Sequence, residues 1–194
     1  MRKILVAAAL TASTALAAPA FAQSTAPFTG PRIEGVVGYE SVGVEDIDDN
    51  SEGVTYGLGI GYDFQMGNMV AGIEAEATDS DNDQCRRDIV APGDRLCAGV
   101  GRDLYVGGRI GTVVGSNTLL YAKAGYTNGR LRTEYTNPAG AETTEGENLD
   151  GVRLGAGAEF AIGPNSFAKA EYRYSNYERD FEKHQVMAGF GFRF

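Results

Sequence analysis

The stretch VMAGFGFRF, residues 186–194, decides the fold, because apolar residues recur in it at every second position up to Phe190, Phe192 and Phe194. Successive side chains of a β-strand point to opposite faces, so a period of two predicts a strand with one apolar face. The stretch VTYGLGIGYDF, residues 54–64, repeats the pattern, with large apolar residues alternating mainly with glycine. The same alternation continues through most of the chain, which predicts an all-β protein.

Eight segments carry this alternation, and their connections differ in length. We predict strands at residues 32–42, 53–65, 69–78, 103–114, 118–133, 149–162, 166–177 and 184–194. Three connections are tight turns rich in the Gly, Pro and Asn that turns require, at 66–68, 115–117 and 163–165. The others are longer and polar, near 43–52, 79–102, 134–148 and 178–183. Short turns that alternate with long loops predict an eight-stranded antiparallel up-and-down transmembrane β-barrel.

Charged residues within these strands share the face opposite to the apolar one. Six acids and six bases have this parity: Glu34, Asp63, Glu74, Glu76, Arg109, Lys123, Arg153, Glu159, Lys169, Glu171, Arg173 and Arg193. A soluble barrel would turn its charges outward, whereas a barrel in lipid turns them inward. The interior of an eight-stranded barrel is only wide enough for its own side chains, so we expect the charges to pair and plug the lumen.

Aromatic residues on the apolar face are predicted to form two girdles where the barrel meets the two membrane interfaces. The outer girdle consists of Tyr39, Tyr56, Tyr126, Tyr172 and Tyr174. The periplasmic girdle consists of Phe64, Phe160 and Phe194.

The first 22 residues have the three parts of a secretory signal: Arg2 and Lys3, the apolar run 4–18, and a small-x-small cleavage site before Gln23. We therefore expect a signal peptide at 1–22, a short periplasmic segment at 23–30 and the barrel domain at 31–194. Cleavage removes two of the 17 basic residues and none of the 26 acids, so the net charge goes from −9 to −11. Such a balance argues against binding to nucleic acid, whose phosphates need basic partners. No later segment has the roughly 18 apolar residues of a spanning helix, so only a closed barrel could cross a membrane.

Cys85 and Cys97 are the only cysteines, and in an exported chain we expect them to form a disulfide. The alternative, a metal pair, is disfavoured because the chain has one histidine and no neighbouring ligand cluster. A disulfide would stiffen the longest outer loop and, in the chain-entropy model, raise the free energy of unfolding by about 2–3 kcal/mol. The acidic runs 45–52 and 79–83 fit a solvated loop, with loose divalent-cation binding as the alternative. We predict no metal-binding, cofactor-binding or catalytic residues.

His184 is the one candidate for catalysis, because it lies near Asp180 and Glu182 at the outer end of the last strand. Some outer-membrane barrels are lipid-modifying enzymes that use His, Ser and an acid at this rim. One such family has Ser two residues after its His, where this chain has Val186. Ser175 lies on the neighbouring strand, but no pattern places it against the imidazole. We therefore interpret His184 as an interfacial residue.

The whole mature chain resembles the outer-membrane β-barrel domain family, the small eight-stranded barrels of the OmpA/OmpX and opacity type. The resemblance rests on the signal, the period-two strands and four segments: GRIG at 108–111, AKAGY at 122–126, AEYRY at 170–174 and FRF at 192–194. It implies that Phe190, Phe192 and Phe194 are recognised by the barrel-assembly machinery during insertion. It also implies an outer-membrane location in contact with lipid and lipopolysaccharide.

The function that this resemblance implies is a non-enzymatic structural or surface role in the bacterial envelope. Three alternatives remain open: a narrow porin-like channel, an adhesin that acts through its outer loops, and a lipid-modifying enzyme. We expect a monomer, because closure of the barrel leaves no strand edge to pair.

Overall fold

The computed structural model describes residues 27–44, 47–89, 92–178 and 181–194. Its strands are β1 (Gly30–Val44), β2 (Ile47–Met66), β3 (Met69–Ser80), β4 (Asn82–Arg87), β5 (Arg95–Val114), β6 (Thr118–Thr136), β7 (Glu142–Ala161), β8 (Ser166–Tyr177) and β9 (Phe181–Arg193). None of the described residues forms a helix that is long and apolar enough to cross a membrane.

The strands form one closed antiparallel ring. Each long strand pairs with the next one along the chain, β3 pairs with β5, and β1 pairs with β9 to complete the circle. The short strand β4 follows β3 after Asp81 and pairs only with the outer part of β5. It extends the wall beyond the ring, and the ring itself contains eight strands. The predicted eight-stranded antiparallel barrel is therefore confirmed.

Several strands extend far beyond the predicted bounds. Strands β2, β5 and β7 have 20 residues each, so they take up much of the stretches that we predicted as polar loops at 43–52, 79–102 and 134–148. The extensions β5–β6 and β6–β7 continue as antiparallel ladders above the ring. Backbone hydrogen bonds hold such ladders. The side chains of 142–148 in β7 are exposed on both faces, so no apolar alternation reveals this extension in the sequence.

The tight turns lie at the opposite end of the barrel from these extensions. Met66 pairs directly with Met69, and Gly67 between them has a φ of +62°. Gly115 takes a φ of +71° between β5 and β6. Glycine adopts this left-handed region without steric cost, which explains its place in both turns.

The two faces of the wall have opposite character. Large apolar side chains point outward, for example Leu58, Ile60 and Ile73 with 59–68% of their surface exposed. The inward face carries the charges, and glycine gives them room: a Cβ added to Gly59 would lie 2.9 Å from Oε1 of Glu34. This arrangement suits a barrel with lipid outside and a filled polar interior.

Candidate functional site

The lumen is filled by ionised side chains that lie in three layers along the barrel axis. In the periplasmic layer, Arg109 donates from Nε to Oδ1 of Asp63 at 2.8 Å and from Nη1 to Oε2 of Glu159 at 2.9 Å. Arg193 joins the same two carboxylates from β9, at 2.9 Å and 2.8 Å. Arg32 reaches Asp63 from β1 at 3.2 Å. Three arginines and two acids from five strands are thus joined into one cluster.

The middle layer is arranged around Lys123 on β6. Its Nζ lies 2.7 Å from Glu74, 2.9 Å from Glu76 and 3.0 Å from Glu171. Arg173 contributes a further contact to Glu76 at 2.8 Å and also bonds Glu171. Lys169 and Glu34 extend the layer across the lumen with a contact of 2.6 Å between β8 and β1.

The outer layer is arranged around the carboxylate of Asp103 on β5, which accepts four hydrogen bonds. Lys183 donates to Oδ2 at 2.7 Å, and the hydroxyl of Tyr177 donates to the same atom at 2.7 Å. Thr127 donates to Oδ1 at 2.7 Å, and Arg153 donates from Nη2 to Oδ2. The carboxylate is almost completely buried, so these donors replace the water that it has lost.

The structure brings all twelve of the charged residues of predicted inward parity into this lumen, where each is buried. It adds four that the sequence analysis did not select: Arg32, Glu40, Asp103 and Lys183. The barrel wall therefore buries eight acids and eight bases among the described residues. Three of the four additions have inward parity within predicted strands, and Lys183 precedes the predicted start of the last strand.

Apolar side chains cover both ends of the charged layers. Phe28, Val70, Leu119 and Tyr121 form a buried cluster at the periplasmic end, and Phe167 is buried beside Arg193. Phe28 enters from the segment before β1, which we predicted to be an external periplasmic segment at 23–30, and its N–H bonds Oε1 of Gln65 at 3.1 Å. Near the outer end, Val42, Leu149 and Tyr177 are buried in the same way. The described charges of the lumen therefore lie between two sets of buried apolar side chains.

A second feature stands above the ring, where the disulfide Cys85–Cys97 joins β4 to β5. We call residues 82–99, without the undescribed 90 and 91, the stapled hairpin. Arg87 and Arg95 lie directly opposite each other in it, and Nη2 of Arg95 is 3.1 Å from Sγ of Cys85. The expected disulfide is confirmed, and it fixes two like charges side by side.

The turn of the stapled hairpin is held by two aspartates. Asp88 accepts from the N–H of Gly93 at 2.6 Å, and Asp94 accepts from the N–H of Ile89 at 2.9 Å. Asp94 also accepts a hydrogen bond from Tyr135 on β6, outside the membrane-spanning part of the wall. Burial of this hydroxyl and the negative charge of Asp94 raise the pKa of Tyr135. The turn therefore presents Ile89, which is about half exposed, on a fixed backbone.

His184 faces outward on β9 and contacts aromatic residues. Its Nδ1 lies 2.6 Å from the hydroxyl of Tyr172, and its ring centroid lies 5.1 Å from that of Tyr174. Ser175 points to the other face of the wall, where its Oγ accepts a hydrogen bond of 2.8 Å from Nε of Arg153. Because the two residues lie on opposite faces, Ser175 cannot serve as a nucleophile for this imidazole.

The residues predicted for the girdles all lie on the outward face. Tyr39, Tyr56, Tyr126, Tyr172, Phe64, Phe160 and Phe194 are exposed, and Tyr174 is partly buried. The three phenylalanines predicted as the assembly signal, Phe190, Phe192 and Phe194, also point outward. The backbone N–H of Phe194 bonds the carbonyl of Pro31 at 2.9 Å, next to the seam between β9 and β1.

Other predictions fall on parts of the chain that are not described. The signal peptide at 1–22 lies outside the described residues, and so do Glu45, Asp46 and Asp180. The side chains of 44–51 and of 82–84 are likewise not described. Within the described part, no group of three or more His, Cys, Asp and Glu side chains is arranged to hold a metal ion.

A closed antiparallel ring with an apolar outer face, outward aromatic residues and ion pairs inside is the architecture of a bacterial outer-membrane β-barrel protein. In agreement with this architecture, the sequence profile of the outer membrane protein beta-barrel domain matches residues 8–194, and the chain belongs to that family. We therefore place the protein in the bacterial outer membrane.

A related protein is the "22 kDa outer membrane protein" of Rhizobium leguminosarum bv. viciae. It is 27% identical over 168 residues, which cover 76% of this chain and 71% of that protein. Two solved structures are similar at lower identity. Ail, the attachment invasion locus protein of Yersinia pestis, has a TM-score of 0.57 at 18% identity and covers 86% of this chain and 99% of its own. Neisserial surface protein A has a TM-score of 0.58 at 13% identity, with coverages of 86% and 98%. These structures support the fold.

Proposed function

We propose that the protein is a non-enzymatic component of the outer membrane with a structural and surface role, and that its lumen is closed to ions. The observation that carries the proposal is the continuous network of eight buried acids and eight buried bases, covered by apolar side chains at both ends. Opening a path would require ion pairs such as Arg153–Asp103 to separate inside a medium of low dielectric, which costs several kcal/mol.

The test is single-channel recording with refolded residues 23–194 in a planar bilayer. A heat-dependent shift on gels first checks that the barrel has folded, and a known porin in the same bilayer serves as the positive control. We expect no discrete conductance steps. Reproducible steps that disappear after heat denaturation would overturn the closed lumen and favour the narrow-pore alternative.

The non-enzymatic part of the proposal rests on the surroundings of His184. Its partners are tyrosine side chains on the outward face, and Ser175 is buried on the inward face. We expect His184→Ala and the wild-type chain, each expressed in cells that lack the native protein, to give identical mass spectra of the outer-membrane lipids. A lipid species that depends on His184 would contradict the proposal.

A second candidate function is recognition of an anionic partner through the stapled hairpin. It is favoured by Arg87 and Arg95, since like charges placed directly opposite on neighbouring strands are destabilising unless an anion lies between them. The disulfide reduces the entropy that the hairpin loses on binding.

We would measure binding of sucrose octasulfate to the oxidised barrel in detergent. Arg87→Gln with Arg95→Gln should weaken binding at least tenfold. The matched control, Arg130→Gln with Arg132→Gln, removes the same charge from another part of the wall and should change binding less than twofold. Equal losses in the two variants would leave only a general effect of charge and would contradict recognition by the hairpin.

A further inference from the structure

Three arginines lie together on the outward face of the wall, next to a break in the regular pairing of β5. The register shifts between Val100 and Asp103, so that Gly101 and Arg102 both lie opposite Arg130 on β6. Arg132 lies two pairs further out, opposite Gly99. Arg130 and Arg132 are exposed and Arg102 is half-buried. We call Arg102, Arg130 and Arg132 the arginine triad.

Glycine lets two of these side chains lie flat against the sheet. A Cβ added to Gly101 would lie 3.1 Å from Nε of Arg132, and one added to Gly146 would lie 2.8 Å from Nη2 of Arg130. Any larger residue at these positions would displace the guanidinium groups. The guanidinium planes are therefore held near the surface of the wall and not extended into solvent.

The triad carries three positive charges, whereas only two acids, Glu134 and Asp150, lie next to it on the same face of the described wall. Arg102 binds an amide: its Nη2 donates to Oδ1 of Asn128 at 3.2 Å, while its buried Nε has no hydrogen-bond partner among the described residues. No ion pair with a carboxylate is found for any of the three within the described ranges. Three adjacent cations in a chain of net charge −9 repel one another, and an anion from outside would remove that repulsion.

The position of the triad shows which anion can reach it. Asn128 lies next below the triad on the outward face, and beyond it lie Leu104, Val106 and Tyr126, which are exposed and belong to the lipid-facing surface. Arg130 follows Tyr126 by four residues, or about 13 Å along the strand. This is the height at which the headgroups begin above the apolar band of the membrane.

Elsewhere the outward rim carries acids. Glu52 accepts a hydrogen bond from Tyr39 on the β1–β2 wall, and Glu182 accepts one from Tyr174 on the β8–β9 wall. Carboxylates repel phosphorylated headgroups, so those walls can approach such lipids only through a bridging cation. Asp150 on β7 accepts from Tyr126 in the same way, and the β5–β6 wall differs because it adds guanidinium groups, which bind phosphate directly and in bidentate geometry.

We propose that the arginine triad binds the phosphate groups of a phosphorylated glycolipid of the outer leaflet. The inference requires the outer-membrane location but does not depend on whether the lumen is closed. A lipid headgroup fits better than a soluble polyanion because the triad continues the lipid-facing surface and points sideways into the headgroup layer, whereas the stapled hairpin stands above it.

The test uses the complete barrel refolded in a zwitterionic detergent, with diphosphoryl lipid A as the probe and native mass spectrometry to measure the bound fraction. Replacing the triad by Arg102→Gln, Arg130→Gln and Arg132→Gln should weaken binding at least about tenfold, because charge-assisted bidentate bonds are lost. The comparison variant, Arg86→Gln, Arg87→Gln and Arg95→Gln, removes three charges from the stapled hairpin and should weaken the binding of lipid A less than the triad variant does. Dephosphorylated lipid A should bind wild type and triad variant equally.

Each other outcome overturns the proposal. Equal losses in the two triple variants would indicate a general effect of charge, and unchanged binding in the triad variant would exclude the site. If the triad variant lost binding of sucrose octasulfate but kept binding of lipid A, the triad would be a site for a soluble polyanion. The heat-dependent gel shift checks folding, and the single exposed substitution Arg130→Gln, expected to weaken binding about threefold, tests the site should the triple variant fail to fold.

Discussion

The outer layer of the lumen allows a quantitative test of how the barrel is stabilised. Asp103 on β5 accepts four hydrogen bonds there, from Arg153, Lys183, Tyr177 and Thr127. The substitution Asp103→Ala removes this acceptor and leaves two buried cations without their main partner. Arg153 keeps its bond to Ser175, and Lys183 keeps a contact of 3.6 Å with Glu40, so the loss is partial for each.

Breaking a buried ion pair by removing one partner costs about 3–5 kcal/mol, since the remaining charge stays in a medium of low dielectric. We therefore expect Asp103→Ala to lower the free energy of unfolding by about 3–5 kcal/mol. The matched control is Asp150→Ala. Asp150 also accepts from a tyrosine and an amide, Tyr126 and Asn128, but it lies on the exposed outward face. Water replaces those partners, so we expect a change within the error of the measurement.

The assay is reversible urea unfolding of the barrel in lipid vesicles. The chain contains no tryptophan, so far-ultraviolet circular dichroism follows the loss of β-structure. The reasoning would be refuted if Asp103→Ala and Asp150→Ala had the same unfolding free energy. A double substitution of Asp103→Leu with Arg153→Met should recover part of the loss, because replacing both partners by apolar groups is often neutral.

Three further predictions concern other parts of the molecule. Cys85→Ser with Cys97→Ser should leave the heat-dependent gel shift unchanged and speed proteolysis within 82–99, because the disulfide holds only the hairpin above the ring; equal proteolysis rates would contradict this. Gly59→Val should destabilise the barrel in the urea assay, because its Cβ would meet Glu34 and Glu76. The control is Gly35→Val, where an added Cβ meets no atom within 4 Å. Equal effects of the two substitutions would show that lumen packing is not the cause. Phe194→Ser should reduce the amount of barrel in the outer membrane of growing cells without preventing refolding of the purified chain, if this residue is part of the assembly signal; an unchanged amount would exclude that role.

The faces of the wall could be predicted from the sequence because side-chain direction in a strand depends only on odd and even position. The same rule would have selected Arg32, Glu40 and Asp103, which share the inward parity of their strands but were not included among the lumen charges. Lys183 could not be selected, because the polar residues around it gave no sign that β9 begins at Phe181.

The arginine triad was not predicted, although Arg102 has the outward parity of Leu104, and Arg130 and Arg132 have that of Tyr126. Only the register shift between Val100 and Asp103, which sets Gly99 opposite Arg132, could not be predicted. One residue inserted in a strand changes the face of everything beyond it, and no residue type marks the position of such a bulge. The strand extensions were missed for a related reason. The β7 extension 142–148 is exposed on both faces and has no apolar set on either one. In the β5 extension, Leu96, Ala98 and Val100 do share one parity, which was not used.

The seam between β1 and β9 determines when the lumen can lose its water. Lys169 and Glu34 are separated by 135 positions in sequence, and Gln185 and Glu40 by 145, yet both pairs meet inside the ring. Contacts between such distant positions form late, because loop closure must come first. Until β9 pairs with β1, the inward charges remain hydrated and two strand edges stay open to other chains. Closure then desolvates and pairs the charges in one event, so the last step of folding is also the step that makes the barrel hard to reopen.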